Sequence, residues 1–366
     1  MKAKRLLQKA ALALLGVVLP ALGLEFGYRL YDRLTLQDWV FTYDRTLGWK
    51  LVPGARRVFK LEEAPYLIEI NSDGFRDRER SFDKPPSISR IVVIGDSFVF
   101  GSGGVEQQDR FTDLLEKSSA NLEVLNLGVP GYSTDQEYLV LKTKGLRYKP
   151  DLVLFCLFEN DFEESFVEFN RSINRPKGYF FTRNGTLEFR APSLPYTYTL
   201  SHQSHLFGLA LREARKLGIR RGPARGSEQP KFYGEKVLGE EERQTFQLLL
   251  VSARDLCKKT GAEFVLVYFP SKEQQQRNIV QESMSELATR EGLKSLDLTD
   301  LSRQAHAERP IFFKRDAHFT RYGHQVVAQA LREFLVKNGF LTSPSQGSEH
   351  RAMSPPGSSP VPRAAE

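Results

Sequence analysis

A serine stands at the end of a short apolar run at residues 91–97, which reads Ile-Val-Val-Ile-Gly-Asp-Ser. Such a run is typical of a strand buried on both faces. The glycine after it predicts a tight turn, which would present the Ser97 hydroxyl at the carboxyl edge of a parallel sheet, where open α/β folds bind their ligands. Ser97 is therefore a candidate nucleophile, although Gly-Asp-Ser also occurs in ordinary turns.

A serine hydroxyl is a weak nucleophile near neutral pH and needs a base within hydrogen-bond reach. Of the six histidines, His318 is the strongest candidate because Asp316 precedes it by two residues and an amphipathic segment follows it. The Asp316 carboxylate could fix the imidazole tautomer and stabilise the imidazolium formed when Ser97 loses its proton. The alternative is an ordinary surface pair. His202 and His205 have a His-x-x-His spacing but no nearby carboxylate pattern, which argues against a metal site there.

Acyl transfer also needs hydrogen-bond donors for the developing oxyanion, each worth about 10²–10³ in rate. Gly131 follows the apolar run 124–127, and a glycine there lets a backbone amide approach a ligand. Asn160 follows the run 152–157 and offers a side-chain amide. Gly131 could instead form a simple turn, and Asn160 could cap a helix. Four such groups on four loops at one edge of a predicted sheet nevertheless favour serine chemistry.

The elements that must position these groups are short apolar strands that alternate with amphipathic helices. The pattern predicts one doubly wound α/β domain over residues 88–341, with about five parallel strands and helices on both faces of the sheet. The predicted strands are Ile91–Ile94, Val124–Leu127, Leu152–Leu157, Phe264–Tyr268 and Leu296–Leu298. The predicted helices are 110–117, 135–146, 240–259, 273–290 and 322–338. An insertion at 165–239 interrupts the alternation, and we expect it to form a lid or a side wall.

Residues 1–33 are expected to direct the chain to a membrane. The first nine residues carry four cations and no acid, and residues 10–24 contain no charge. An uncleaved transmembrane helix at 10–31, a cleaved signal peptide and a hydrophobic helix packed on the domain all fit this pattern. We favour the transmembrane helix. The cations before the segment then predict that the rest of the chain lies outside the cytoplasm, in the periplasm or at the cell surface.

Composition limits the remaining possibilities. The 366 residues are 40% hydrophobic and 27% charged, which is typical of a globular chain. Two cysteines without a Cys-x-x-Cys pair exclude a disulfide-stapled scaffold and an ordinary zinc-finger or iron–sulfur site, and we expect both thiols to be buried and free. Residues 34–87 are predicted to form a small cap, and 342–366 a disordered tail. The net charge of +7 is mild, and nucleic-acid binding is not expected.

In their order along the chain, these motifs resemble those of the GDSL or SGNH hydrolases. The resemblance runs over 90–338 and rests on Gly95-Asp96-Ser97, Gly131, Asn160-Asp161, and Asp316 with His318. The segments Ile70–Asp77 and Asn126–Tyr132 resemble a bacterial, often membrane-anchored branch of the family that has an N-terminal extension. Two positions depart from the family pattern. Phe158 stands where a glycine is usual, and the Asp-x-His spacing is one residue shorter.

The resemblance implies a three-layer, flavodoxin-like α/β fold and assigns roles to the motif residues. The roles of nucleophile, general base and orienting carboxylate fall, in that order, on Ser97, His318 and Asp316. The implied oxyanion hole consists of the N–H groups of Ser97 and Gly131 and the side chain of Asn160, with Asp96 and Asp161 in support. The resemblance implies no metal ion and no organic cofactor.

The favoured function is that of an extracytoplasmic, membrane-anchored serine esterase or deacylase. It would hydrolyse an ester of a small molecule, lipid or glycan through an acyl-enzyme on Ser97. An O-acyltransferase could use the same residues to pass the acyl group to a sugar hydroxyl of a cell-surface polysaccharide. Water and sugar compete for one intermediate, so the sequence does not separate these two. A carbohydrate-binding or assembly protein without turnover is a third hypothesis, and the intact Ser, Gly, Asn and His argue against it. The sequence does not identify a protein partner.

Overall fold

The computed structural model describes residues 2–35, 40–60, 65–170, 173, 175–192, 204–216, 239–272 and 279–341. The strands in these ranges are β1 (Phe41–Asp44), β2 (Gly48–Leu51), β3 (Arg56–Lys60), β4 (Pro65–Glu69), β5 (Ser89–Ile94), β6 (Leu122–Asn126), β7 (Leu152–Leu157), β8 (Phe169–Asn170), β9 (Arg175–Pro176), β10 (Tyr179–Arg183), β11 (Thr186–Arg190), β12 (Glu263–Tyr268) and β13 (Lys294–Asp297). The helices are α1 (Lys2–Thr35), α2 (Ser97–Phe100), α3 (Phe111–Glu116), α4 (Thr134–Thr143), α5 (Asn160–Glu164), α6 (His205–Lys216), α7 (Glu240–Lys259), α8 (Ile279–Arg290), α9 (Thr299–Glu308) and α10 (Arg321–Lys337).

Five parallel strands form the central sheet in the order β13-β12-β7-β5-β6. Strand β5 lies between β6 and β7, and Val93 is paired with Asn126 on one side and Leu154 on the other. The strand order reverses between β5 and β7, and in doubly wound sheets this switch point is where ligands bind. The predicted parallel α/β sheet is confirmed.

The apolar runs predicted the sheet because its central strands are buried on both faces. Every residue of β7 is buried, and Glu263 at the start of β12 is the exposed residue of that strand. Apolar side chains on one face pack with those of α4, α7 and α8, and those on the other face pack with α3, α9 and α10. Cys156 and Cys257 belong to these two opposite cores and are both buried and free, as predicted.

Most of the predicted helices agree with the structure within a few residues. Helix α7 has the predicted bounds, and the left-handed residues Gly261 and Gly339 follow α7 and α10 with φ of +80° and +74°. The pattern does not predict α9, because two of its three buried residues are the polar Thr299 and Ser302. Residues 273–278 of the predicted helix before β13 lie outside the described residues.

Residues 40–60 and 65–87 contain two antiparallel hairpins, β1–β2 and β3–β4. Trp49 on β2 is fully buried, and its indole N–H donates to the carbonyl oxygen of Pro130 at 3.1 Å. The Tyr132 hydroxyl donates in return to the carbonyl oxygen of Trp49 at 2.6 Å. The predicted cap therefore packs directly on the turn that carries Gly131.

The motif at 70–77 joins this cap to the loop that follows α2. Arg76 is completely buried, and burial lowers the pKa of its guanidinium to about 9. The guanidinium donates, at 2.7–3.2 Å, to the carbonyl oxygens of Leu67, Phe100, Gly101 and Val105. One side chain thus holds both the cap and the 100–105 loop.

The predicted insertion contributes the short hairpins β8–β9 and β10–β11 and helix α6. Lys177 is buried, and its ammonium group pairs with the Asp135 carboxylate of α4 at 2.5 Å. Phe180 packs edge-on against Tyr138 of α4, with ring centroids 5.5 Å apart. The hairpins of the insertion therefore form a side wall against α4. Residues 193–203 and 217–238, and the predicted tail at 342–366, lie outside the described residues.

Helix α1 covers the segment predicted to enter a membrane. Its Glu25 carboxylate accepts hydrogen bonds from the Ser204 hydroxyl and the Leu206 N–H at the start of α6, both at 2.9 Å. Among the helices that the structure describes, none is long and apolar enough to cross a membrane. The prediction of a transmembrane helix at 10–31 is not confirmed.

Candidate active site

Ser97 is the first residue of α2 and follows β5 by a two-residue turn. Asp96 is the N-cap of α2, and its Oδ1 accepts a hydrogen bond from the Phe98 N–H at 2.9 Å. Gly95 is needed because a Cβ atom there would lie 2.4 Å from Cγ2 of Val99. The Gly-Asp-Ser sequence therefore forms the predicted tight turn, with Ser97 at the carboxyl edge of the sheet, and the short helix α2, which was not predicted, begins at Ser97.

His318 lies beside Ser97, although 221 residues separate them in the chain. The imidazole Nε2 is 2.7 Å from Ser97 Oγ, and Nδ1 is hydrogen-bonded to Oδ1 of Asp316. The same Oδ1 accepts the backbone N–H of His318 at 2.8 Å. The Asp-x-His spacing thus lets one carboxylate oxygen orient both the ring and the backbone. The Ser97 hydroxyl, the His318 imidazole and the Asp316 carboxylate are thus linked by hydrogen bonds in that order, and in this arrangement the imidazole can remove the serine proton.

The loop that carries Asp316 and His318 is held by Lys272, which follows β12. The Lys272 ammonium group donates to the carbonyl oxygens of Phe313 and Lys314 at 2.8 and 2.7 Å. Desolvation raises the pKa of Asp316, but the hydrogen bonds and charge of His318, with the charge of Lys272, outweigh it and leave the pKa below its usual value. Asp316 is therefore held as a carboxylate.

Asp96 and Asp161 support the two turns on either side of the switch point. Asp96 is buried, which raises its pKa to about 6, and its Oδ2 is 3.5 Å from the Ser97 hydroxyl. Asp161 is fully buried, and burial raises its pKa well above the usual value. Its Oδ2 accepts the Phe158 N–H at 2.7 Å and so fixes the start of α5, which carries Asn160.

The two backbone N–H groups predicted for the oxyanion hole lie on joined turns. Gly131 follows β6 with a left-handed φ of +76°. The Val129 N–H donates to the carbonyl oxygen of Gly95 at 3.1 Å and ties the Gly131 turn to the Ser97 turn. Within the described ranges, no protein group accepts a hydrogen bond from the N–H of Ser97 or of Gly131. Both can therefore donate to a substrate oxygen.

Asn160 begins α5 directly after β7 and is buried. Its Nδ2 donates to Oε2 of Glu164 at 3.2 Å, and its Oδ1 has no hydrogen-bond partner among the described residues. The N-cap of α5 is Glu159, so the alternative that Asn160 caps this helix is wrong. One N–H of the Asn160 amide is thus engaged, and the second can serve an oxyanion.

Sequence reasoning missed the residues that surround the His318 ring. Gly103 has a left-handed φ of +97°, and a Cβ atom there would lie 2.7 Å from the Phe313 ring and 3.0 Å from Cβ of His318. Phe98 of α2 also contacts the His318 imidazole, with ring centroids 5.0 Å apart. The Gly-Ser-Gly-Gly run at 101–104 was the available signal, because clustered glycines often mark a close approach of backbone to another group.

Two further histidines, His324 and His202, bear on whether the chain could hold a metal ion. His324 is buried on α10. Its Nδ1 accepts the Phe111 N–H at 3.2 Å, and burial lowers its pKa to about 3. Over the part of the chain that is described, no three His, Cys, Asp or Glu residues are placed to hold a metal ion. His202 lies outside the described residues, so the prediction against a metal site at His202 and His205 stays a prediction.

The chain is similar to one known family and to several solved structures. Residues 232–357 match the family model described as "SGNH hydrolase-like domain, acetyltransferase AlgX". Similar solved structures include a lipase/acylhydrolase from Enterococcus faecalis, with 14% identity over 69% of this chain and 97% of that chain and a TM-score of 0.40. A G-D-S-L family lipolytic protein from Veillonella parvula is 14% identical, and the alignment covers 68% of this chain and 99% of that chain with a TM-score of 0.39. A two-domain esterase active on acetylated mannans is 14% identical, and the alignment covers 70% of this chain and 51% of that chain with a TM-score of 0.40. No curated protein matches the sequence.

The family match supports an SGNH/GDSL hydrolase-type domain, and the parallel sheet and the Ser97–His318–Asp316 series are consistent with one. The matched range 232–357 contains Asp316 and His318, whereas Ser97, Gly131 and Asn160 precede it.

Proposed function

We propose that this protein is a serine esterase or deacylase that cleaves an O-acyl ester through an acyl-enzyme on Ser97. The observation that carries the proposal is the 2.7 Å contact between Ser97 Oγ and His318 Nε2, with the Asp316 carboxylate on the opposite ring nitrogen. A hydroxyl in an ordinary turn would not require a base and an orienting carboxylate in series.

The geometry gives each group a step. His318 Nε2 accepts the Ser97 proton while Oγ attacks the ester carbonyl carbon, and the carbonyl electron pair moves to oxygen. The N–H groups of Ser97 and Gly131 and the second amide N–H of Asn160 donate to that oxyanion. Collapse of the intermediate breaks the ester C–O bond, and the leaving alkoxide takes the proton from His318. The acyl group is left on Oγ.

Water completes hydrolysis by the reverse sequence. His318 removes a proton from the water as its oxygen attacks the acyl carbon, and Ser97 regains a proton when the acid leaves. A sugar hydroxyl in place of water would yield a new ester. The second candidate is therefore an O-acyltransferase that modifies a polysaccharide, and the match of 232–357 to an acetyltransferase family favours it. Both candidates use an O-acyl group on a glycan or lipid.

An extracytoplasmic location is part of the proposal. It is supported by the four cations in the first nine residues and the absence of charge from 10 to 24. Fusion of alkaline phosphatase after residue 341, where the described chain ends, tests it in a bacterial host. We expect phosphatase activity, which requires export, and an inactive fusion would contradict the location.

The test of the chemistry is p-nitrophenyl acetate hydrolysis by the full chain, together with labelling by a fluorophosphonate. Ser97→Ala should abolish labelling and reduce turnover by several powers of ten. Ser102→Ala is the matched control, because this serine lies in the loop after α2 and should keep wild-type turnover. Labelling that persists in Ser97→Ala would refute the nucleophile. A folded wild type that neither hydrolyses, labels nor transfers would point to the binding protein.

The acceptor is decided by adding an oligosaccharide to the same reaction. Mass spectrometry then measures free acetate and acetylated sugar. Acetate alone indicates the esterase, whereas acetylated sugar whose formation depends on Ser97 indicates the transferase.

A further inference from the structure

Asn170 is a buried amide that links the two halves of the proposed oxyanion hole. It is the last residue of β8 at the start of the insertion and is completely buried. Its Nδ2 donates to the carbonyl oxygen of Gly131 at 3.0 Å and to Oε2 of Glu164 at 2.8 Å. Both hydrogens of this amide are thus used, one toward the turn after β6 and one toward α5.

Glu164 carries the link onward to the second donor. It is buried at the end of α5, and the Oε2 that accepts from Asn170 also accepts Nδ2 of Asn160 at 3.2 Å. Gly131 and Asn160 are therefore connected by two side chains, although they lie on different loops. The hydrogen bonds described for Asn170 and Glu164 do not include Ser97 or His318.

The orientation of the Asn170 amide is set by its partners. Its Oδ1 accepts the Ile173 N–H at 3.1 Å, whereas its Nδ2 faces two oxygen atoms. A flipped amide would place the oxygen against a carbonyl and a carboxylate. The side chain of Ile173 in turn covers Gly131, where a Cβ atom would lie 3.0 Å from Ile173 Cδ1.

These contacts restrain the parts of the two donors that do not face substrate. Gly131 is held through its carbonyl oxygen, which leaves its N–H available. Asn160 is held by one of its two amide hydrogens, and no described residue holds its Oδ1. An oxyanion donor stabilises the transition state only if it is fixed in advance, and a small loosening of the supporting groups reduces the rate.

We propose that Asn170 and Glu164 are positioning residues for the oxyanion hole. The inference rests on the proposed function and assigns to the start of the insertion a direct part in the rate of the acyl-transfer step. Removing the Asn170 side chain takes one hydrogen-bond donor from the Gly131 carbonyl oxygen and one from Glu164 Oε2. The loss should therefore appear in kcat, with KM for a small ester nearly unchanged.

The first test is Asn170→Ala in the full chain, assayed with p-nitrophenyl acetate. We expect kcat to fall by about 10- to 100-fold, which is less than the loss of a direct donor. Thr182→Val is the matched control. It removes a 2.8 Å hydrogen bond between the insertion and Thr245 of α7, away from the oxyanion hole, and should keep wild-type kcat.

The second test is a double-mutant cycle with Asn160→Ala. Because Asn170 also holds the Gly131 carbonyl oxygen, part of its effect should remain without Asn160, but the fall in kcat caused by Asn170→Ala should be clearly smaller in the Asn160→Ala background than in wild type. Independent effects that multiply would indicate a general structural role and would overturn the proposal. If Asn170→Ala does not fold, Glu164→Gln decides. It keeps an oxygen acceptor but removes the carboxylate, and we expect a smaller loss in kcat at an unchanged melting temperature.

Different results would refute the proposed function and the positioning role of Asn170 and Glu164. If Ser97→Ala turned over p-nitrophenyl acetate as fast as wild type, the proposed function would be refuted. Turnover that requires Ser97 but is unchanged in Asn170→Ala and Glu164→Gln would refute only the positioning role.

Discussion

Replacement of Asp316 by Asn isolates the contribution of one carboxylate to the proposed chemistry. Its Oδ1 accepts both the ring Nδ1 and the backbone N–H of His318, and Asn preserves the size of the side chain. A hydrogen bond to a charged group contributes about 1.5–3 kcal/mol. The Asp316 side chain is 38% exposed and that of His318 23%, so solvent screens the interaction. The lower part of that range, about 1.5–2 kcal/mol, corresponds to a loss of about 10- to 30-fold in kcat.

The assay is steady-state hydrolysis of p-nitrophenyl acetate by wild type, Asp316→Asn and Asp316→Ala. Ser97→Ala should lose several powers of ten, and both Asp316 variants should lie clearly between it and wild type. Wild-type kcat in both variants would mean that another group, such as a backbone carbonyl, orients His318. A loss as large as that of Ser97→Ala would contradict the argument from solvent screening.

Three further predictions concern groups around the site. Burial lowers the pKa of His324 to about 3, so we expect the folded imidazole to stay neutral while the unfolded one protonates below about pH 6.5. The unfolding free energy should therefore fall by about 2–3 kcal/mol between about pH 6 and pH 4. In urea unfolding, His324→Asn, which can still accept the Phe111 N–H, should lose less, and equal pH slopes would contradict the assignment. Burial raises the pKa of Glu137 well above its usual value, so the folded carboxyl stays protonated while the unfolded one ionises as pH rises. Glu137→Gln should therefore raise the melting temperature at pH 8 relative to wild type and have little effect at pH 4, and a gain at pH 4 alone would be contrary to this sign. Lys272→Met should lower kcat by about tenfold, because the carbonyl oxygens of Phe313 and Lys314 lose their donor. Lys272→Arg should keep most of the wild-type kcat. An unchanged kcat in Lys272→Met would show that Lys272 does not position the His318 loop.

The sequence predicted the centre of the sheet better than its edge. Strands β5, β7 and β12 are buried on both faces, so each is a continuous apolar run with no other simple interpretation. Strand β13 lies at the edge, and three of its four residues are exposed. Its observed span, Lys294–Asp297, is therefore shifted toward the polar residues that precede the predicted Leu296–Leu298.

The site divides in the same way between residues that a motif marks and residues that it does not. Ser97 and His318 follow short, recognisable sequences, and their order along the chain suggested their relation before the structure gave the 2.7 Å contact. Asn170 lies 39 residues from Gly131, in a segment that breaks the α/β alternation, and an isolated asparagine there carries no signal. Lys272 is similar, because its role depends on carbonyl oxygens of a loop more than 40 residues away.

The segments outside the α/β core have a common physical role, which is to hold the turns of the candidate active site. Trp49 and Tyr132 tie the cap to the Gly131 turn from one side, and Asn170 holds the same turn from the insertion. Arg76 satisfies the carbonyl groups of the 100–105 loop, in which Gly103 contacts the His318 side chain. Without the cap these buried carbonyls would lose their donors, at about 1–3 kcal/mol each. A chain that began at residue 88 would keep Ser97 on its turn, but the loops that position the base and the oxyanion donors would lack support.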